Sequence, residues 1–209
     1  INNIPDPNVG SAITVGAWIN LTNISAETDR FVTVIGSAVL RHDGVSSPGQ
    51  LDYYVSTGGT NRHIRVNSSL SAGTWYYVVG TWDGTTQVLY KDGAPIGSAT
   101  PGGTLDADTG AHFSSNAEVM DGSIDEVRVS SVARSADWIE TEFNNQSAPS
   151  SFYSVGSAEN NASFCGGGGP ANWWDCGLDY RMPITVPAGS AAVPAAYSVS
   201  ISIDHAALV

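Results

Sequence analysis

Charge of one sign is scarce in this chain. Lys and Arg together number 8 against 20 Asp and Glu, so the formal net charge is −12 over 209 residues. A surface this acidic repels phosphate backbones and anionic lipid, which excludes nucleic acid and membrane surfaces as partners. No apolar run approaches the roughly 20 residues of a membrane-spanning helix, so no insertion is expected. Charged residues make up only 13% of the chain while 42% is hydrophobic, a composition suited to a β-rich extracellular protein. The chain opens at Ile1 in module-like sequence, and we read it as a segment of a longer secreted protein.

Histidine and cysteine are also few. His42, His63, His112 and His205 stand apart, without metal-ligand spacing, and no Gly-x-Ser-x-Gly elbow occurs. The two cysteines, Cys165 and Cys176, flank a Gly-rich loop, and their spacing suggests a local disulfide of an oxidising compartment. In the chain-entropy view so short a closure contributes about 3 kcal/mol. Five Asn-x-Ser/Thr acceptors, Asn20, Asn23, Asn67, Asn145 and Asn161, are compatible with a glycosylated surface protein.

What is present is a succession of short strand signals. Ile13–Ile19, Phe31–Ile35, Leu51–Val55, Arg62–Val66, Trp75–Trp82, Gln87–Lys91 and Gly122–Ser130 alternate or are β-branched. Asp-Gly pairs at Asp43-Gly44, Asp83-Gly84 and Asp92-Gly93 supply turns that tolerate positive φ. The pattern predicts an all-β antiparallel sandwich. One helix is expected at 136–144, with Ser135 as N-cap and Ala136, Ile139 and Phe143 on one face.

Four of these stretches carry a resemblance. Thr14–Ile19, Thr74–Gly84, Leu89–Gly97 and Gly122–Ser130 together resemble LamG-like, concanavalin A-type jelly-roll modules over roughly residues 1–145. The resemblance implies a sandwich at 1–147, with a short helix after the closing strand. Residues 148–178 then read as a Gly/Ser-rich linker carrying the Cys loop, and 179–209 as C-terminal strands of a partial second β domain. The run Trp174-Asp175-Cys176-x-x-x-Tyr180-Arg181-x-Pro183-Ile184-Thr185-Val186 resembles the opening of a β-sandwich family of unknown function found beside such modules in secreted microbial proteins.

Candidate chemistry divides three ways. Laminarinase-type relatives place acids at i, i+2 and i+5 on one strand, but Ser123, Asp125 and Arg128 occupy those places here, so no catalytic residues are expected. Asp125 matches the closing-strand acid that related jelly rolls direct at Ca²⁺, with carbonyls near Asn2, Asn3 or Asp6 as co-ligands, or else it accepts main-chain N–H groups. For glycans the candidates are Tyr53, Tyr54, Trp75, Tyr76, Tyr77, Trp82 and Tyr90, half of them expected inward, and above all Trp173 and Trp174 in the Gly-rich loop. The reading is an extracellular structural or adhesive module, a repeating unit joined head-to-tail with other copies or neighbouring domains. The alternative is a carbohydrate-binding module with glycans as partners.

Overall fold

The computed structural model describes residues 7, 9–25, 28–114, 118–157, 159–160, 180–181 and 184–185. The chain divides into two compact units, Ile1–Phe143 and Asn144–Val209. The first holds two five-stranded antiparallel sheets, as the alternation predicts.

One sheet is ordered β10 (Gly122–Ser130), β1 (Ile13–Leu21), β6 (Trp75–Trp82), β7 (Gln87–Lys91) and β8 (Ala94–Ala99). The other is ordered β5 (Thr60–Asn67), β4 (Gln50–Thr57), β3 (Ala38–Asp43), β2 (Thr28–Val34) and β9 (Ala111–Phe113). Ile13, Val15, Ala17 and Ile19 of β1 face Leu40, Leu51, Tyr53 and Val55 across one continuous core that also buries Trp82 and Leu89. Gly80 in β6 has to be glycine, because a Cβ there would overlap the Tyr53 ring. Gln87 spans the layers: its fully buried Nε2 donates to the carbonyls of Tyr53, at 2.9 Å, and Arg62, at 3.0 Å.

The β7–β8 hairpin turns on Asp92 and Gly93, with φ of 51° and 81°, the double positive φ that the Asp-Gly pair allows. β10 breaks strict alternation. A bulge opposite Gly16–Trp18, with Glu126 at φ 48°, shifts the phase so that Ile124, Val127 and Val129 all pack on the core.

The helix α1 runs Ala136–Ser147, three residues beyond the expected end, and Ser135 caps it by accepting the Trp138 N–H at 3.2 Å. Its Ile139, fully buried, sits on Tyr77, Val79 and Tyr90, while Trp18 stacks at 5.8 Å from Phe143 and 5.4 Å from Tyr77. The outer face of the β10–β1–β6–β7–β8 sheet is thus occupied by helix. In the second unit a short helix α2 (Pro149–Phe152) follows. There β11 (Ser154–Val155) pairs with β14 (Ile184–Thr185), and β12 (Glu159–Asn160) with β13 (Tyr180–Arg181).

Candidate functional site: the outer face of the second sheet

Within the first unit the helix packs on the other sheet, through Ile139 against Tyr77, Val79 and Tyr90, and the outer face of the β5–β4–β3–β2–β9 sheet carries polar side chains. Inward Val32, Leu40 and Tyr53 fix the alternation, so Arg41, Asp52 and Arg65 must face out. Cross-strand register then places Arg30, Arg41, Asp52 and Arg65 side by side on β2, β3, β4 and β5. The neighbouring row reads His112, Thr33, Val39, Tyr54 and His63.

Charge pairing orders the first row. Arg41 Nε donates to Asp52 Oδ2 at 3.0 Å and its Nη2 lies 2.9 Å from the same oxygen. Arg41 Nη1 donates to Glu118 Oε1 at 3.1 Å, and Glu118 Oε2 takes Arg30 Nε. His63 Nδ1 sits 2.9 Å from Asp52 Oδ1, so the proton belongs on Nδ1, since a carboxylate only accepts. Burial alone would lower the Arg41 pKa, but the Asp52 hydrogen bond and the charges of Asp52, Glu118 and Asp43 outweigh it and raise it. Burial pushes the Asp43 carboxyl up; hydrogen bonds from the Ser46 hydroxyl, at 2.9 Å, and amide, with Arg41 and Arg65 nearby, hold it below the ordinary value. Tyr54 is pushed up by burial. Its ring lies 4.7 Å from His63 and 5.7 Å from the Arg41 guanidinium.

Three buried polar atoms of this face have no hydrogen-bond partner: Thr33 Oγ1, Gln50 Oε1 and His112 Nε2. Tyr53 Oη, Trp82 Nε1 and Gln87 Oε1, deep in the core, are likewise unpartnered, so the feature is not peculiar to this face. A second recess, of about 630 Å³, opens at the β4–β5 turn between Thr57, Arg62, Thr104 and Asp106.

The residues singled out in the sequence fall elsewhere for the most part. Tyr53 and Trp82 are core, and Tyr77 and Tyr90 lie beneath α1. Trp75 is exposed on β6, Tyr76 is half-buried, and among the described candidates only Tyr54 reaches the site. His42 is fully buried on the inner side, its Nδ1 2.9 Å from Asp29 Oδ2. Asn20, Asn23 and Asn145 are half-buried and Asn67 is exposed. Trp173, Trp174, Cys165, Cys176, Asn161 and His205 lie outside the described residues.

Asp125 is exposed, and its Oδ1 accepts the Glu126 N–H at 2.8 Å. Among the described residues no group of three His, Cys, Asp or Glu side chains gathers around a point. The expected carbonyl donors near Asn2, Asn3 and Asp6 lie outside the described residues. The residues that sequence reasoning missed are Arg30, Arg41, Asp52, Arg65 and Glu118; the signal was polar residues two apart on adjacent strands, Arg41/Asp43, Asp52/Tyr54 and His63/Arg65.

The two layered sheets, the crossing helix and the polar outer face define a jelly-roll module. The chain belongs to the concanavalin A-like lectin/glucanase superfamily, matched over residues 2–140. Among solved structures it is similar to a candidate carbohydrate-binding protein from Bacteroides ovatus, with 23% identity and a TM-score of 0.52 over 62% of this chain and 40% of that one. It is also similar to the ligand-binding domain of botulinum neurotoxin serotype D in complex with N-acetylneuraminic acid, with 14% identity and a TM-score of 0.53 over 74% and 43%. The receptor-binding domain of botulinum neurotoxin type G aligns at 10% identity and a TM-score of 0.53, over 65% and 38%. The chain thus spans about two fifths of the length of these structures. At such identities the likeness is one of fold. No curated protein matches the sequence.

Proposed function

We propose that the outer face of the β5–β4–β3–β2–β9 sheet binds a glycan, and that the module is a carbohydrate-binding domain without catalytic activity. The observation that carries this is the row of planar groups, Arg41, Asp52 and His63 with the Tyr54 ring beside them, ordered by cross-strand pairing and ending on the exposed Arg65. Sugars meet such surfaces through paired hydroxyls, and a prepaired ladder loses little side-chain freedom on binding. The similar structures named above, binding domains by description, favour the same reading.

A binding role also fits the state of the acids. Glycoside hydrolysis needs one carboxyl free to donate a proton and a second free to attack or to activate water. Asp52 and Glu118 are engaged by arginines, and Asp43 by Ser46 and arginines. On composition, we further propose an extracellular setting. The repeating-unit role is a separate proposal, testable by the size of the purified chain in solution.

The test is a glycan array followed by an NMR titration of labelled protein with the best binder. Shifts concentrated on Arg41, Tyr54, His63 and Arg65 are expected. Shifts confined to the recess at Thr57, Arg62 and Asp106 would move the site, and hydrolysis of the glycan would restore an enzymatic reading.

A further inference from the structure

We infer that the glycan bound on this face carries a carboxylate, which docks on Arg65. The inference rests on the glycan-binding reading above. It follows from which groups of the ladder the solvent can reach.

Around Arg65 the aspartates lie low and the arginine lies high. The Asp52 side chain is 0% exposed and that of Asp43 7%, whereas Arg65 is 44% exposed and His63 24%. The acceptor capacity of the two aspartates is largely used. Asp52 serves Arg41 and His63, and Asp43 accepts the Ser46 hydroxyl and amide. At the β4–β5 end of the row a ligand arriving from solvent therefore meets the Arg65 donors before the aspartates.

Arg65 is the donor with capacity left. Its Nε lies 3.5 Å from Oδ2 of both Asp43 and Asp52, too far for good hydrogen bonds, and its Nη2 lies 3.2 Å from His63 Nδ1. That last contact is no hydrogen bond when His63 Nδ1 gives its proton to Asp52. The guanidinium fork is held in place by the two aspartates without being consumed. A planar fork of this kind matches a carboxylate through two parallel N–H···O bonds.

The acidic chain does not forbid such a ligand. Three of its eight basic residues, Arg30, Arg41 and Arg65, stand in this single row, where they balance Asp43, Asp52 and Glu118. Acidic groups elsewhere are screened over about 8 Å at physiological ionic strength. The row is locally charge-balanced, and Arg65, 44% exposed, is its most accessible charged member.

The experiment compares an acidic oligosaccharide with its methyl ester, the same skeleton without the charge. Two pairs serve: sialyllactose with its ester, and a galacturonate trimer with its ester. Titration calorimetry is run on wild type, Arg65→Lys and Arg65→Gln, with thermal melts to verify folding. Loss of a charge-assisted pair predicts that at least one acid binds about ten- to a hundredfold tighter than its ester. Arg65→Gln should erase that preference and Arg65→Lys keep part of it. Acid and ester binding equally to wild type would overturn the inference while leaving a glycan site. So would a preference that survives in Arg65→Gln. No binding by these sugars, together with a blank glycan array, would overturn both readings.

Discussion

Removing Asp52 tests whether the ladder is held together from beneath. The carboxylate is fully buried and is the principal partner of Arg41, whose own side chain is only 14% exposed. Asp52→Ala leaves a mostly buried guanidinium with Glu118 at 3.1 Å and Asp43 at 3.8 Å. Breaking a buried pair from one side costs about 3–5 kcal/mol. The remaining acids and the partial exposure of Arg41 place the expected loss near the lower end, about 3 kcal/mol. For a protein of this size that is a fall in Tm of about 6–12 °C. Replacing both partners, Asp52→Leu with Arg41→Met, should recover most of the loss, because no uncompensated charge is left. Urea unfolding followed by fluorescence measures all three variants. A loss under 1 kcal/mol for the single variant, or no recovery in the double, would refute the view that Asp52 organises the face.

Ile139→Ala, which empties a fully buried site beneath α1, should cost about 2–5 kcal/mol in the same assay. Gly80→Ala should destabilise by roughly 1–3 kcal/mol through overlap with Tyr53, and Gly80→Ala with Tyr53→Leu should be milder than the sum. Burial, with Arg30 nearby, lowers the His112 pKa from 6.5. The unfolded chain then takes up that proton first, so stability is full above about pH 6.5 and falls as pH drops through the folded value. His112→Gln should flatten that limb of the pH–Tm curve, and an unchanged curve would show that His112 is not its source. If Asp125 holds Ca²⁺, Tm rises with the logarithm of free calcium in wild type and not in Asp125→Asn; equal melts in chelator and millimolar calcium leave only its hydrogen bond to Glu126.

The architecture was legible wherever one physical signal dominated. β6 and β7 match their alternating runs end to end, and Asp92-Gly93 turns as its chemistry requires. β3 was missed because Ala38–Asp43 is buried almost throughout, so polar alternation is weak. β8 carries Pro95 and Gly97, residues that an edge strand tolerates and a propensity reading rejects, and β9 is three residues long. The site was hidden for a different reason. Arg30, Arg41, Asp52 and Arg65 come from four strands, and only the cross-strand register makes them a row. Trp173 and Trp174 drew attention as aromatics in a loop, whereas the described face contributes a single tyrosine, Tyr54, to a mostly ionic surface.

Glycan binding on this face is tested by an NMR titration with a glycan selected on an array, repeated on Arg41→Met and Arg65→Gln protein. Saturable shifts are expected on Arg41, Tyr54, His63 and Arg65, weakened in both variants while their folded spectra persist. Shifts elsewhere on the sandwich, or binding that neither variant alters, would contradict glycan binding on this face.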